Sequence, residues 1–422
     1  MLARADPIRL KENYALFFMK HYPLIFSTVL ASVVASPAAP ALKWETQQLT
    51  AEFHAEGAGV GDFNKDGTLD VVYGPWWFAG PGFADPHRIY EPKKVDPRGY
   101  SKNFVAYGPD LNGDSWDDVL VLGFPGEESY WFENPKMGNT DWKRHVALKV
   151  TDNESPAWTD LTGDGKPEIV CSSGGFFGYA TPGEDPTALW NFTPISTNAA
   201  GSRFTHGLGI GDVNGDQRFD VLEKNGWWEQ PADPRTQPVW TFHAVPFAAG
   251  DGGSQMFAYD FDGDGDNDVF TSLAAHGYGL AWWEQSKTAE GTVTFIKHEL
   301  MPEDPRAESK VPVFSQSHAV DLADINGDGV KDLVTGKRFW AHAPKPDGTG
   351  GDGGVNDPSV LYWYEVKRGG TSGAAEFIPH LIHSDSGVGT QVMIAELDGK
   401  APPEIIVGNK KGAFVNKASV VP

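Results

Sequence analysis

The stretch DLNGDSWDDVLVLG, residues 110–123, joins an acidic, glycine-containing segment to a run of aliphatic residues. Its first nine residues place Asp or Asn at positions 1, 3, 5 and 9, and VLVLG has the composition of a buried strand. Related nonapeptides occur at 62–70, 160–168, 212–220, 260–268, 324–332 and, in a degenerate form, 396–404. The first five copies recur about every 50 residues, and the last two follow longer intervals. Such a repeat predicts one small β-sheet per copy.

Each repeat continues with further strand-like segments in the same order. An aromatic segment follows the first run, as in GWWEQ at 226–230, and a later segment commonly ends in His, as in WTFH at 240–243. Seven such units predict an all-β, seven-bladed β-propeller. The last repeat lacks an outer strand, whereas WETQQL at 44–49 precedes the first repeat. We therefore expect the amino-terminal strand to join the last blade, which closes the ring and removes exposed sheet edges, within one domain over 42–422.

The seven nonapeptides resemble the FG-GAP/VCBS repeats of integrin alpha-like propellers. This resemblance implies a seven-bladed propeller with integrin-type calcium loops. The W-W-E-Q strands, HGLGIGDVNGD at 206–216 and SHAVDLADINGDG at 317–329 are more distantly similar to the propeller of the aldos-2-ulose dehydratase family. Those enzymes are sugar-modifying lyases, so this second similarity implies a carbon–oxygen lyase acting on sugars.

The acidic nonapeptides have the chemistry of a calcium loop. Ca²⁺ takes 6–8 oxygen ligands, and a strand rather than a helix follows each loop, which excludes an EF-hand. The alternative is a plain Asp/Asn/Gly turn that binds nothing. We expect about six structural Ca²⁺ ions, and a weak or absent site in the seventh loop, where Glu396 and Lys400 replace two of the usual residues. The predicted ligands are Asp62, Asn64, Asp66, Asp70, Asp110, Asn112, Asp114, Asp118, Asp160, Thr162, Asp164, Glu168, Asp212, Asn214, Asp216, Asp220, Asp260, Asp262, Asp264, Asp268, Asp324, Asn326, Asp328 and Asp332.

The net charge limits the classes of partner. The chain has 34 Lys and Arg against 57 Asp and Glu, a formal charge of −23. This excess disfavours nonspecific binding to nucleic acid. Roughly two fifths of the acidic residues lie in the seven nonapeptides, so bound cations would neutralise much of it. Cys171 is the single cysteine, which excludes an intramolecular disulfide framework and a cysteine-rich zinc site.

The amino terminus predicts export. After Met19, the apolar run PLIFSTVLASVVA at 23–35 leads into SPAAPA at 36–41, as in a secretory signal with a small-residue cleavage region. We interpret 1–41 as a signal region, with Met19 as an alternative start, and an uncleaved anchor as the competing interpretation. We therefore expect a secreted or periplasmic monomer with no membrane span in the mature chain.

One ring of positions stands out beyond the calcium loops. Six residues before each acidic loop the chain has Glu56, Phe104, Glu154, His206, Ser254, His318 and Thr390. The connections that follow the post-loop strands should open on the same face, and they contribute Lys224, His276, Lys337, Arg338, His342, Lys410 and Lys411. These residues predict a site at one mouth of the central channel.

Two functions fit such a mouth. The first is binding of a carbohydrate or protein ligand, with Glu56, Glu154, Lys224 and His276 as contacts. The second is β-elimination on an oxidised sugar, with His206 and His318 as candidate bases and Lys337, Arg338 and Lys410 stabilising the enolate oxygen. A third interpretation is a polar channel whose side chains only hydrogen-bond one another.

Overall fold

The protein is an all-β propeller. The computed structural model describes residues 41–136, 138, 141–201, 203–234, 237–369 and 374–421. Every regular element within these ranges is a strand, and the 28 strands form seven four-stranded antiparallel sheets. The fold class predicted from the repeats is confirmed.

The strands follow one another outward through each sheet, so that each repeat is a blade. Blade 1 has β2 (Gly59–Gly61), β3 (Asp70–Tyr73), β4 (Trp76–Phe78) and β5 (Pro86–Arg88). Blade 2 has β6 (Asn103–Tyr107), β7 (Val119–Gly123), β8 (Glu127–Glu133) and β9 (Lys143–Thr151). Blade 3 has β10 (Ala157–Thr159), β11 (Glu168–Ser173), β12 (Phe176–Thr181) and β13 (Asn191–Pro194). Blade 4 has β14 (Leu208–Gly211), β15 (Asp220–Glu223), β16 (Gly226–Glu229) and β17 (Thr241–Ala244).

The later blades are built in the same way. Blade 5 has β18 (Phe257–Tyr259), β19 (Asp268–Ser272), β20 (Leu280–Lys287) and β21 (Val293–Met301). Blade 6 has β22 (Val320–Ala323), β23 (Asp332–Gly336), β24 (Leu361–Lys367) and β25 (Glu376–His383). Blade 7 has β26 (Val392–Ala395), β27 (Glu404–Asn409), β28 (Gly412–Val420) and the amino-terminal strand β1 (Leu42–Thr50). β1 runs antiparallel to β28, with Leu42 opposite Val420 and Gln48 opposite Phe414.

The hydrophobic cores lie between blades. Each of the seven buried clusters combines residues of two neighbouring sheets. One of them packs Val71 and Tyr73 of blade 1 against Ile406 and Val415 of blade 7. The ring is therefore closed by the same apolar packing that joins the other blades.

A recurring Trp–His–Glu contact fastens the outer strand to several blades. In blade 4 the His243 ring stacks on Trp227 at 4.1 Å, and His243 Nε2 lies 2.7 Å from a Glu229 oxygen. Blades 2, 5 and 6 repeat the contact with Trp131, His145 and Glu133, with Trp282, His298 and Glu284, and with Trp363, His380 and Glu365. Each of these histidines packs against the Trp of its own blade. They lie on four different blades and do not form one site.

The lone cysteine gives a simple probe of the core. Cys171 is fully buried between blades 2 and 3, and burial raises the pKa of its thiol. Because the thiolate is the reactive form, we expect an aromatic disulfide reagent to label Cys171 only after denaturation. Absorbance of the released thiolate measures this, and rapid stoichiometric labelling in native buffer would contradict the packing.

The predicted signal region lies, apart from Ala41, outside the described residues. Within the described ranges the chain forms no helix able to cross a membrane.

Candidate functional site at the channel mouth

Segments that precede the innermost strands of four blades meet around one arginine. Arg338 is the second residue after β23, and its Nη2 donates to Glu56 Oε2 at 2.8 Å. Its Nη1 donates to His318 Nε2 at 2.8 Å and lies 3.7 Å from Glu154 Oε2. Arg338 and Glu56 are both buried. Although burial opposes the charge, Glu56 and Glu154 keep the pKa of Arg338 above its ordinary value, so the guanidinium links blades 1, 3 and 6 as a cation.

Three histidines and Glu154 converge beside this arginine. His206 Nε2 lies 3.3 Å from His318 Nε2, and Glu154 Oε2 lies 3.3 Å from the first and 3.4 Å from the second. The His276 ring meets the His206 and His318 rings edge-on, with centroids 5.0 and 5.1 Å apart. One ligand atom from each of these four side chains falls within 4.8 Å of all the others. Such a set can hold a metal ion.

The surroundings lower the pKa of two histidines of this cluster, His276 and His318. Burial, followed by the positive charge of Arg338, holds the pKa of His318 well below its usual range. Burial also lowers the pKa of His276, against the opposing hydrogen bond to Asp352. Burial would raise the pKa of Glu154, but His206 and Arg338 bring it below its ordinary value. Neutral imidazoles beside a carboxylate are the protonation states that ligate divalent metals.

Asp352 joins the cluster to an outer histidine. Its Oδ2 lies 3.1 Å from His276 Nδ1, and its Oδ1 lies 2.9 Å from His342 Nδ1. His342 stacks on His276 at 4.3 Å, and 57% of its side chain is exposed. The hydrogen bond to Asp352 raises the pKa of His342. Asp352 was not predicted from the sequence. It lies on a long connection between β23 and β24, and the longer spacing between the sixth and seventh acidic loops was the sequence feature that indicated this connection.

The predicted lysines lie near the cluster without contacting its histidines. Lys410 Nζ donates to the Trp340 carbonyl at 2.9 Å and lies 4.2 Å from the Tyr100 ring centroid. Lys337 Nζ lies 3.4 Å from the Arg338 carbonyl. Burial lowers the pKa of each lysine to about 8. Lys224 bonds the Gly250 carbonyl instead, so it is not brought into the cluster.

Aromatic side chains surround the mouth. Tyr100 lies 5.6 Å from Phe124, which lies 5.7 Å from Phe204. Phe204 and Trp340 have φ values of 83° and 54°, a left-handed conformation that is unusual for bulky residues. Phe204 is also 42% exposed. Backbone strain that holds aromatic faces toward solvent is typical of ligand sites.

Two glutamine amides next to innermost strands link different blades. The Gln391 amide bonds both the N–H and the carbonyl of Ala106, each at 3.0 Å, joining blade 7 to blade 2. The Gln255 amide donates to the Thr390 carbonyl and accepts from the Val320 N–H, joining blade 5 to blades 7 and 6. These bonds therefore add polar cross-links between blades to the apolar packing.

The acidic loops are organised around their first aspartate. In the third loop Asp160 accepts backbone N–H bonds from Gly163 and Gly165, each at 2.8 Å. Ligand atoms of Asp160, Asp164 and Glu168 lie within 4.8 Å of one another, as do those of Asp260, Asp262 and Asp268. The donor sets of these two loops fit a cation that prefers oxygen ligands.

The acidic residue at position 9 has a second role that spacing alone did not reveal. Asp70 accepts the N–H of Phe63 in its own loop and the N–H of Gly80 beyond the third strand, each at 2.9 Å. Asp118, Asp220, Asp268 and Asp332 make the equivalent pair of bonds. Burial raises the pKa of each of these five carboxyls to about 7, and the other carboxylates of the loop act in the same direction. In the seventh loop Lys400 Nζ lies 3.7 Å from Asp398.

The family comparison agrees with the repeat pattern. A profile of the FG-GAP-like repeat matches residues 110–171, which run from the acidic loop of blade 2 into the second strand of blade 3. The chain is a β-propeller that contains an FG-GAP-like repeat over these residues. The repeat type expected from the nonapeptides is thus confirmed.

This propeller is distantly similar to solved structures. An Agrocybe aegerita lectin that recognises non-reducing terminal N-acetylglucosamine is 16% identical, with a TM-score of 0.47 over 90% of this chain and 86% of the lectin. Rhamnogalacturonan lyase YesW is 11% identical, with a TM-score of 0.44 over 91% of this chain and 75% of the lyase. No curated protein matches the chain significantly.

Proposed function

We propose that the channel mouth is a metal-assisted carbohydrate site. The observation that carries this proposal is the convergence of Glu154, His206, His276 and His318 within 4.8 Å. Three imidazoles and one carboxylate suit zinc or a similar divalent transition metal better than Ca²⁺, which prefers oxygen alone. Asp352 bonds His276 through Nδ1 and leaves Nε2 as the ligand atom, a common arrangement around bound metals.

The groups around this centre favour a sugar that carries a carbonyl or carboxylate. A bound metal would polarise such an oxygen. Arg338, predicted to stabilise an enolate oxygen, is already paired with Glu56 and Glu154, which leaves Lys410 as the nearby cation that would favour negative charge at the mouth. The exposed Phe204 ring offers a flat apolar surface for a sugar. Of the two functions predicted from the sequence, binding of a carbohydrate or protein ligand and β-elimination on an oxidised sugar, these groups favour those that involve a sugar.

The reaction that this arrangement supports best is β-elimination. His342 is the candidate base, because Asp352 orients its ring and its side chain is exposed. The base takes the proton from the carbon next to the carbonyl or carboxylate, and that electron pair forms the new C=C bond. The β-oxygen leaves with its bonding electrons and takes up a proton. His206 and His318, predicted as bases, are assigned here as metal ligands because both are buried beside Glu154. On metal binding, His318 Nε2 would exchange its hydrogen bond from Arg338 for the metal.

Metal content tests the centre directly. Metal-free protein is loaded with Zn²⁺ or Mn²⁺ separately in the presence of Ca²⁺, gel-filtered and analysed for each element. We expect one equivalent of one of these metals per chain, lost in His206→Ala and in Glu154→Gln. His243→Ala, which removes a histidine stacked on Trp227, should keep the metal. Binding that is absent, or that survives both mouth substitutions in folded protein, would overturn the centre.

Turnover is tested with the metal-loaded protein. Uronic acid polymers and oxidised sugars are incubated with it, and the ultraviolet absorbance of the unsaturated product is followed. We expect activity that falls at least about a hundredfold in His342→Ala, the usual effect of losing a general base, while metal content stays unchanged. Saturable sugar binding without product would support the second candidate, a carbohydrate-binding module, which the exposed aromatic rim favours.

We further propose that the six regular acidic loops bind structural Ca²⁺ and that the protein is exported. The first proposal is supported by the converging carboxylates of the third and fifth loops. The second is supported by the apolar run at 23–35. Amino-terminal sequencing of the protein recovered outside the cytoplasm tests export, and recovery of the whole chain inside the cytoplasm would contradict it.

A further inference from the structure

We propose that a separate cleft between blades 1 and 2 binds a neutral oligosaccharide. A cavity of about 890 Å³ opens there, large enough for several sugar rings. Its lining combines aromatic residues with polar and charged ones, among them Tyr90, Asn103, Tyr130 and Arg144. The cleft contains none of the four converging metal-ligand candidates.

Buried polar groups along this cleft lack partners. Asn103 is 2% exposed, and neither its amide oxygen nor its amide nitrogen makes a hydrogen bond of good geometry within the described structure, although the Tyr90 hydroxyl lies near it. His54, also buried, has an unpartnered Nδ1. Buried polar atoms in native proteins are nearly always satisfied. A sugar hydroxyl next to Asn103 can both donate and accept a hydrogen bond, and would therefore provide the partner that the amide lacks.

Aromatic faces give the cleft a second feature suited to sugars. Tyr90 stacks on Phe132 at 4.7 Å, and Tyr130 meets Phe132 edge-on at 5.6 Å. The Arg144 guanidinium lies 4.0 Å from the Tyr130 ring centroid and restrains that ring. Rigid aromatic rings with a polar end bind amphipathic ligands at little entropic cost. The apolar face of a pyranose is such a ligand.

The charges of the cleft are largely paired with one another. Lys102 pairs with Glu127, and Arg144 pairs with Glu128 at 2.8 Å. Arg88 bridges Glu91 and Asp141, two further residues of the lining. A charged ligand would have to break these pairs, whereas sugar hydroxyls can hydrogen-bond to paired ions without removing a charge. With Lys93 and Lys149, the lining has four basic and four acidic side chains and therefore no net charge. The occupant is therefore a neutral sugar chain rather than a uronate polymer.

One chain segment separates the cleft from the mouth. Tyr100 and Ser101 line the cleft, while the Ser101 N–H donates to Glu56 at 3.2 Å and the Tyr100 hydroxyl donates to the Ala341 carbonyl at 2.7 Å. A branched or mixed polysaccharide could thus place a neutral segment in the cleft and its reacting sugar at the mouth. Only this last link rests on the proposed function; binding in the cleft does not.

Calorimetry with defined sugars tests the cleft. The probes are cellohexaose, xylohexaose, mannohexaose, maltohexaose and chitohexaose, each titrated into the calcium-loaded full chain. We expect at least one to bind with one site per chain, and its affinity to fall about tenfold in Tyr130→Ala, the loss expected from one aromatic stacking contact. Asn103→Ser should weaken the same ligand. Phe242→Ala, an exposed aromatic on an outer strand of blade 4, should leave it unchanged.

The outcomes separate this inference from the metal centre. His206→Ala should abolish metal binding at the mouth and leave hexasaccharide affinity unchanged. If none of the five sugars binds, or if binding survives both cleft substitutions in variants with unaltered melting curves, the cleft is not a sugar site. Equal loss in His206→Ala and Tyr130→Ala would likewise reject it, because the ligand would then lie at the mouth.

Discussion

Removal of the calcium proposed for the acidic loops is expected to lower the melting temperature of this propeller by about 10–20 °C. A site held at 100 times its dissociation constant contributes about 2.7 kcal/mol to the free energy of unfolding. For a domain of this size, the entropy of unfolding is such that a change of about 0.8 kcal/mol in the free energy of unfolding shifts the melting temperature by one degree. Six occupied loops therefore give a shift near the upper value, and partial occupancy gives the lower one.

The physical reason lies in the crowding of carboxylates in loops that connect the two inner strands of a blade. In the fifth loop Asp260, Asp262 and Asp268 offer oxygens within 4.8 Å of one another. Without a cation these negative charges repel one another. Asp268 also accepts hydrogen bonds from the N–H groups of Phe261 and Gln285. Losing the ion therefore weakens both the loop and its attachment to the third strand.

Differential scanning calorimetry in a chelator, and after Ca²⁺ is restored, measures the shift. Restoring Ca²⁺ alone should recover the melting temperature even when the mouth is left without a transition metal, which separates the two kinds of site. Asp164→Asn, in the third loop, should lower the midpoint of the calcium-loaded protein. Asp347→Asn, an exposed aspartate outside the loops, is the matched control. Identical melting curves with and without calcium would contradict the structural role of the ion.

The repeat pattern predicts much of the mouth because each position within the repeat occupies an equivalent place in every blade of a propeller. Residues at one phase lie at equivalent points of the ring, so Glu56, Glu154, His206 and His318 could be expected on one face before any contact was known. The structure brings Glu56, Glu154 and His318 together through Arg338. His206 joins them through its contacts with Glu154 and His318. The position in the repeat could not show which of these side chains are in contact, because they belong to blades 1, 3, 4 and 6 and meet only across the channel.

Residues outside the repeat have no phase and could not be predicted in this way. Asp352, which joins His276 to His342, and Trp340, with its left-handed backbone, lie on the irregular connection of blade 6. Lys224 has the right phase but turns toward the Gly250 carbonyl, because a long flexible side chain takes the nearest acceptor. The cleft between blades 1 and 2 was also missed, since it depends on the packing of two repeats rather than on either alone.

Replacement of Arg338 by methionine is expected to lower the free energy of unfolding by about 3–5 kcal/mol. Arg338 is 1% exposed and holds Glu56, which is fully buried. Methionine fills similar volume but leaves the Glu56 carboxylate with a single backbone partner, the Ser101 N–H. Guanidinium denaturation at fixed calcium measures the change. Arg306→Met, whose side chain is 88% exposed and pairs with Asp304, should change stability by less than about 0.5 kcal/mol.

The cause of that loss is separable from simple loss of packing. If the uncompensated Glu56 charge dominates, the double variant Glu56→Gln/Arg338→Met should recover a large part of the stability, because a neutral amide costs far less to bury than a lone carboxylate. The coupling between the two substitutions should then exceed about 1 kcal/mol. Additive losses would instead mean that Glu56 and Arg338 act independently, and that Glu154 and His318 alone keep the guanidinium in place. The double variant thus decides whether the Glu56–Arg338 ion pair or the contacts of Arg338 with Glu154 and His318 contribute more to the stability of the mouth.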